Sequence, residues 1–356
     1  MAVPVSVVKL VTHENPHLDE IVAFLLLRLF GEKMFPGVAQ APVEFCRTGG
    51  ECPNGKTADE YEKEGVLFIG TGRGRFDEHG KKRAGEALCA ATLVAEQLDI
   101  RENPALRLLL KETLDNDAYA SAGLTDLASV IKAMYLQGIN PLEVINWATR
   151  GIEALYAQQL RYQEAVAELS EAIVDEVEAG GKTHKVVSIV SDNPEIQRAA
   201  RSKDLNSAVV IQQKKTGHIQ IFTNQGQIRR NIRDIVRIVR IAESQAKGRT
   251  TRLPWKELEV TERISEIPEW YYMVPGENLL NGSLTATDVP PTNLSFNRVR
   301  ELVKLALSHQ FDPDHVEQCL LGNCTHKDKP CVLFLWGFSW CRKIRYQQAQ
   351  QPSEET

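Results

Sequence analysis

At 356 residues the chain is longer than one hydrophobic core usually organises, so two domains are expected. Hydrophobic residues at 43% and charged residues at 25% give the balance of an ordinary soluble globular protein. The net charge of −5 argues against wholesale coating of nucleic acid, while leaving room for a local basic groove.

No stretch reaches the ~20 apolar residues of a membrane span. The longest apolar block, Ile21 to Phe30, is interrupted by Arg28 and preceded by Asp19 and Glu20. Met1 to Lys9 lacks the basic-then-apolar pattern of a secretory signal. The 7 cysteines are odd in number and thinly spread, which suits a reducing cytoplasm and no membrane partner.

In chain order, Val5 to Val11 reads as a strand that stops at the polar cluster His13-Glu14-Asn15-Pro16-His17. A helical pattern follows from Ile21 to Phe30. Val66 to Ile69 reads as a second strand between Gly65 and Gly70, and Gly85 to Leu98 as a helix. Strands feeding helices, with ligand-type residues at the strand exits, predict a parallel α/β sheet with its site beyond the carboxyl ends of the strands. From Asn103 to Glu178 the pattern is nearly all helical, a connector running into Gly180-Gly181. That pair marks the expected boundary between an α/β domain with helical extension (1–179) and a smaller α+β domain (182–346). Strands are expected at Val186 to Val190, Ala208 to Gln212 and Ile219 to Thr223, with helices over Pro194 to Arg201 and Ile228 to Lys247. The polar tail 347–356 reads as disordered.

Three clusters in the first 120 positions carry chemistry. His13, His17 and Asp19 lie within seven residues at a strand-to-helix turn stiffened by Pro16. Asp77, Glu78 and His79 follow a loop containing Gly70, Gly72 and Gly74. Asp115 and Asp117 close an apolar helix. Each has a plainer reading as helix-start charge, charged turn or exposed acidic patch. Together they offer imidazole and carboxylate ligands suited to Mn²⁺, with Mg²⁺ the alternative ion.

The segment His13-x-Asn15-Pro16-His17-x-Asp19 closely resembles the first motif of the DHH phosphoesterase superfamily. With Glu20 after Asp19, it is similar to the Myg-type branch of metal-dependent hydrolases and exonucleases. Arg75-Phe76-Asp77-Glu78-His79 resembles the Asp-His-His motif, with Glu78 in the middle position. Asp115 fits the later "Asp-Asn-Gly" segment, with Asp117 where a glycine is usual. Segments around Pro254-Trp255 and Val274-Pro275-Gly276 resemble the second half of the same family more loosely. The resemblance implies a DHH-like fold and metal ligands His13, His17, Asp19, Asp77, His79 and Asp115, with Asp77, Glu78 and His79 as the catalytic group. It also implies metal-activated hydrolysis of RNA or short oligonucleotides from the 3′ end. Gly70 stands where the family has a metal-bridging aspartate, so one tight ion with a weaker second ion is expected. A small phosphodiester substrate, and a DHH-like nucleotide- or metal-binding regulatory module without turnover, remain the alternatives, and self-association is open.

Arg230, Arg233, Arg237 and Arg240 form a stripe opposite the apolar face of the helix expected after Ile228. Guanidinium groups so spaced suit successive phosphates, and a solvated helix face is the other reading. Cys319, Cys324, His326 and Cys331 offer partial zinc-site spacing, against the reading as buried or incidental thiols.

Overall fold

A computed structural model of the chain describes residues 6–47, 50–80, 87–121, 123–227, 232–249, 251, 253–283, 286–309, 318, 319, 321, 323 and 334. The fold is mixed α/β in two units, one ending at Gln163 and the next beginning at Glu164. No helix among the described residues is long and apolar enough to cross a membrane.

The first unit contains β1 (Lys9–His13), α1 (Leu18–Phe30), β2 (Val43–Cys46), α2 (Ala58–Lys63), β3 (Val66–Phe68), α3 (Ala90–Gln97), α4 (Arg107–Tyr119), α5 (Leu127–Leu136) and the start of α6 (Pro141–Glu168). Its sheet has the order β2-β1-β3, and both pairings of β1 are parallel, as the alternation of strand and helix predicts. Every residue from Leu18 to Leu27 is buried. A helix apolar all round belongs in the interior, and α1 meets α3, α4 and α5 there. Its side chains join Leu10, Val43 and Leu67 of the sheet in one core. The strands therefore end beside the start of a helix that is buried over its first ten residues.

The second unit contains the end of α6, then β4 (Ile173–Ala179), β5 (Lys182–Val190), α7 (Ile196–Ala200), β6 (Val209–Gln213), β7 (Ile219–Thr223), α8 (Arg233–Ala246), β8 (Glu262–Ile264), β9 (Ile267–Met273), β10 (Asn278–Leu280) and α9 (Phe296–Ser308). Its sheet runs β4-β5-β6-β7-β10-β9-β8, with β5–β6 its parallel pair. It carries the larger sheet of the two, against the smaller domain expected. The boundary expected at Gly180-Gly181 falls inside this unit. Both glycines have positive φ, 61° and 74°, and join β4 to β5 in a tight hairpin. The stretch read as helical up to Glu178 is a strand from Ile173, with Val177 and Ala179 buried on alternate positions. Arg300 and Lys304 of α9 bind Asp175 of that strand at 2.8 and 3.1 Å. The polar tail 347–356 lies outside the described residues. So do Cys324, His326 and Cys331, while Cys319 is buried in the second core.

Two arginines of the expected phosphate-tracking stripe, Arg237 and Arg240, are taken up inside the fold. Arg230 lies outside the described residues, and α8 begins at Arg233. Arg233 lies 3.5 Å from Glu259. Arg237 pairs with Glu259 and with Asp234 at 2.7 Å, and stacks over Trp255 with 4.9 Å to the ring centre. Arg240 is fully buried. Its Nη1 donates to the Leu258 and Val260 carbonyls at 2.8 and 3.0 Å, and its Nη2 to those of Glu262 and Trp270 at 2.5 and 3.1 Å. Burial lowers its pKa to about 10, which still leaves it charged near neutrality. Helical spacing alone placed these arginines opposite the apolar face, but the 257–273 segment supplies partners to Arg233, Arg237 and Arg240.

Arg240→Met should therefore lower unfolding stability by about 3 kcal/mol or more, because it leaves buried carbonyls without a donor. Arg233→Gln, at a half-exposed ion pair, should cost under about 1 kcal/mol. Urea denaturation of the two variants checks this, and equal small losses would contradict the clamp.

Candidate metal centre

β1 delivers His13 at its carboxyl end, and the turn through Pro16 returns the chain to the first residues of α1. The Tyr135 hydroxyl of α5 donates to the Pro16 carbonyl at 2.9 Å and fixes that turn. His13 Nε2 and Glu20 Oε1 are 2.7 Å apart, and the His17 backbone N–H donates to Glu20 Oε2 at 2.6 Å. The two imidazoles stand 4.9 Å apart, centre to centre. His13, His17 and Glu20 each bring one ligand atom within 4.8 Å of the others.

Asp77, Glu78 and His79 make a second such group. Asp77 Oδ2 accepts from the Arg73 backbone N–H at 2.7 Å, and Oδ1 from the His79 backbone at 2.9 Å. Asp77 is thus the internal brace of its loop as well as a ligand candidate. His79 is exposed, with Nδ1 2.9 Å from Glu78 Oε1. Both groups line one cavity of about 1080 Å³, together with Glu14, Arg73 and Asp117.

Two residues matter here that motif matching passed over. The first is Glu20. Gly70 has φ +63°, and a Cβ added there would overlap the Glu20 carboxylate. The α1 carboxylate thus fills the space next to the strand end where an aspartate side chain is absent, and an aspartate at Gly70 could not enter without displacing it. The second is Asp117. Asp115, the expected ligand, turns to Lys111 of its own helix in an ion pair, and Asp117 lines the cavity in its place. Helical phase carried this signal, since Asp117 follows buried Leu110 by seven residues and buried Thr113 by four. Asp19 lies behind the wall, 3% exposed, and its Oδ2 accepts from the Ala90 backbone at the start of α3 at 3.2 Å.

The electrostatics of this set fit a divalent cation. No Lys or Arg among the described residues forms an ion pair with Asp19, Glu20, Glu78 or Asp117. Asp19 Oδ1 and Glu78 Oε2 are buried without a hydrogen-bond partner. Burial, then the neighbouring Glu20 and Asp117 carboxylates, hold Asp19 well above the usual carboxylate range. Burial also raises Glu20 and Glu78 to about 7. His13 and His17 are lowered, mainly by burial, which favours the neutral imidazole a metal needs. Carboxylates gathered without basic partners call for positive charge from elsewhere, and the imidazole and carboxylate donors suit Mn²⁺ or a similar ion.

No protein-family model and no curated protein matches the chain. Among solved structures, a chain described as an uncharacterized protein from Helicobacter pylori G27 aligns with 10% identity and a TM-score of 0.21, over 84% of this chain and 98% of that one. A TM-score this low carries no argument about fold or activity.

Asp117→Asn should weaken Mn²⁺ binding about tenfold or more, whereas Asp115→Asn should leave it unchanged. Titration calorimetry on the two variants separates them, and the opposite order would restore Asp115 as the ligand.

A pH dependence follows from the raised carboxyls. Glu20 and Glu78 move from 4.5 to about 7, so between those values the folded metal-free chain keeps protons that the unfolded chain has released. The stability they contribute is fully present below the unfolded value and is lost as pH rises through the folded one. Metal-free protein should become easier to denature from about pH 5 to about pH 8, and Mn²⁺ should restore stability at the upper end. A flat profile with no metal effect would contradict this arrangement.

Proposed function

We propose that the first unit is a divalent-cation-dependent phosphoesterase, with His13, His17 and Glu20 holding the ion and Glu78, His79 and Asp117 facing it across the cavity. The observation that carries this reading is the pair of ligand-type groups lining one cavity, where no Lys or Arg among the described residues forms an ion pair with Glu20, Glu78 or Asp117. Two imidazoles and one carboxylate also suit redox iron sites. The additional carboxylates at 77, 78 and 117 favour hydrolysis, because they supply groups that accept protons and orient water. The resemblance of residues 13–19 and 75–79 to DHH motifs supports phosphate esters as the substrate class.

A divalent ion bound there would lower the pKa of water and offset charge on phosphoryl oxygens. The chain supplies the rest. Glu20 orients His13 through Nε2, and Asp77 holds the loop that presents Glu78 and His79. Glu78, whose Oε2 has no hydrogen-bond partner in the wall, is the carboxylate placed to accept or return a proton. His79 Nδ1 lies 2.9 Å from Glu78 Oε1 and is open to the cavity, where it can exchange that proton with solvent. Of the arginines that would have tracked a long strand, Arg237 and Arg240 are engaged inside the second unit. A small phosphate ester therefore fits better than extended RNA.

The test is turnover of p-nitrophenyl phosphate, its bis ester and a dinucleotide by the full chain with Mn²⁺ or Mg²⁺. Metal-dependent release is expected, with Glu20→Gln and Glu78→Gln each lowering kcat at least about 100-fold. Metal bound without turnover of any substrate would instead support a binding module.

A further inference from the structure

We infer that Arg73 receives the terminal phosphate group of the substrate, an assignment that rests on the phosphoesterase reading above and narrows its substrate class to phosphomonoesters. Among the described residues lining the cavity, Arg73 is the one Lys or Arg, facing Glu14, Glu20, Asp77, Glu78, Asp117 and the imidazoles. Its neighbours are already neutralised. Arg47 binds Glu14 at 2.8 Å, and Arg75 binds Glu62 at 2.8 Å and stacks on Phe35. Arg73 is exposed and makes no ion pair among the described residues, although carboxylates line the same cavity. Its guanidinium is thus available to an anion that enters.

The placement of this side chain is built into the loop. Arg73 has φ 52°, a left-handed conformation that costs a non-glycine residue about 1–2 kcal/mol. Asp77 Oδ2 holds it there through the backbone N–H at 2.7 Å, the same loop brace that presents Glu78 and His79. Arg73 also lines an adjoining hollow of about 360 Å³, whose other walls include Gly50, Cys52, Gly55, Thr57 and Asp59. A phosphate resting on Arg73 would sit between the ligand groups and a small hollow able to take the ester group.

The chemistry selects the phosphate type. A guanidinium fork takes two oxygens of one anion side by side. A monoester phosphate has three terminal oxygens, so two can meet Arg73 while the third faces the ion. A diester has two, and cannot serve both at once without sharing. Charge points the same way, since a dianion is better matched than a monoanion to a divalent ion plus an arginine.

The experiment uses the full chain, with Mn²⁺ binding and inorganic phosphate binding measured separately by calorimetry. Arg73→Gln and Arg73→Gly both remove the guanidinium, and the glycine variant suits the local φ, so a folding defect cannot explain a loss common to both. Expected are unchanged Mn²⁺ binding and phosphate binding weakened about tenfold or more in both variants, with Arg73→Lys in between. Unchanged phosphate affinity in the two variants would overturn the assignment. A preference of the wild type for the bis ester over p-nitrophenyl phosphate would overturn the monoester selection. Should the wild type bind no divalent ion, the phosphoesterase reading fails separately. Phosphate titration of the metal-free chain then decides Arg73, supporting it if binding is lost in both variants and overturning it if the wild type binds none.

Discussion

Carboxylates packed together at the end of a parallel sheet repel one another and resist burial, and the first unit is arranged around that cost. Asp19 and Glu20 are each 3% exposed, yet no Lys or Arg among the described residues forms an ion pair with either. Burial pushes Asp19 well up and Glu20 and Glu78 to about 7, so the metal-free cluster relieves itself by keeping protons. A cation would relieve it differently, by letting the same oxygens ionise. Competition between proton and cation for one set of oxygens would couple folding, pH and ligand binding in this unit.

The surrounding structure keeps those oxygens from moving apart. Because α1 is buried on all sides, its first turn cannot rotate Glu20 away from Gly70 without disturbing the core. Tyr135 ties the Pro16 turn from α5, and Asp77 ties the loop from Arg73 to His79 from within. Ligand groups from a strand end, a helix start and a loop are thereby held over one cavity. A site of this kind needs rigid support more than it needs any one residue type.

Charge is handled in the opposite way in the second unit. Arg240 is buried but satisfied by four carbonyls, and Glu243 accepts from Trp270, Thr292 and Asn293. Asn281 likewise donates to the Glu269 and Pro290 carbonyls at 3.1 and 3.0 Å. These hydrogen bonds join helix α8 to strands and loops packed against it. The contrast lies in charge, since Arg240 meets carbonyls and Glu243 meets donors, whereas Asp19, Glu20 and Glu78 gather as carboxylates at one cavity.

The sequence by itself determined the parallel α/β start, the buried helix after Pro16, and the clustering of His13, His17, Asp77 and His79. Each of these follows from local pattern: apolar runs, turn residues and strand exits. It also held strands such as Ile219–Thr223 in plain view, because a short β-branched run between turns has few alternatives. Only the tertiary structure decided that Glu20 faces Gly70, that Asp117 and not Asp115 reaches the cavity, and that Gly180-Gly181 turns a hairpin. It alone showed that Arg240 is buried under the 257–273 segment. For Glu20, Asp117 and Arg240 the physical reason is the same. Spacing along the chain says which side chains share a face, but what lies against that face depends on segments brought in from far along the chain.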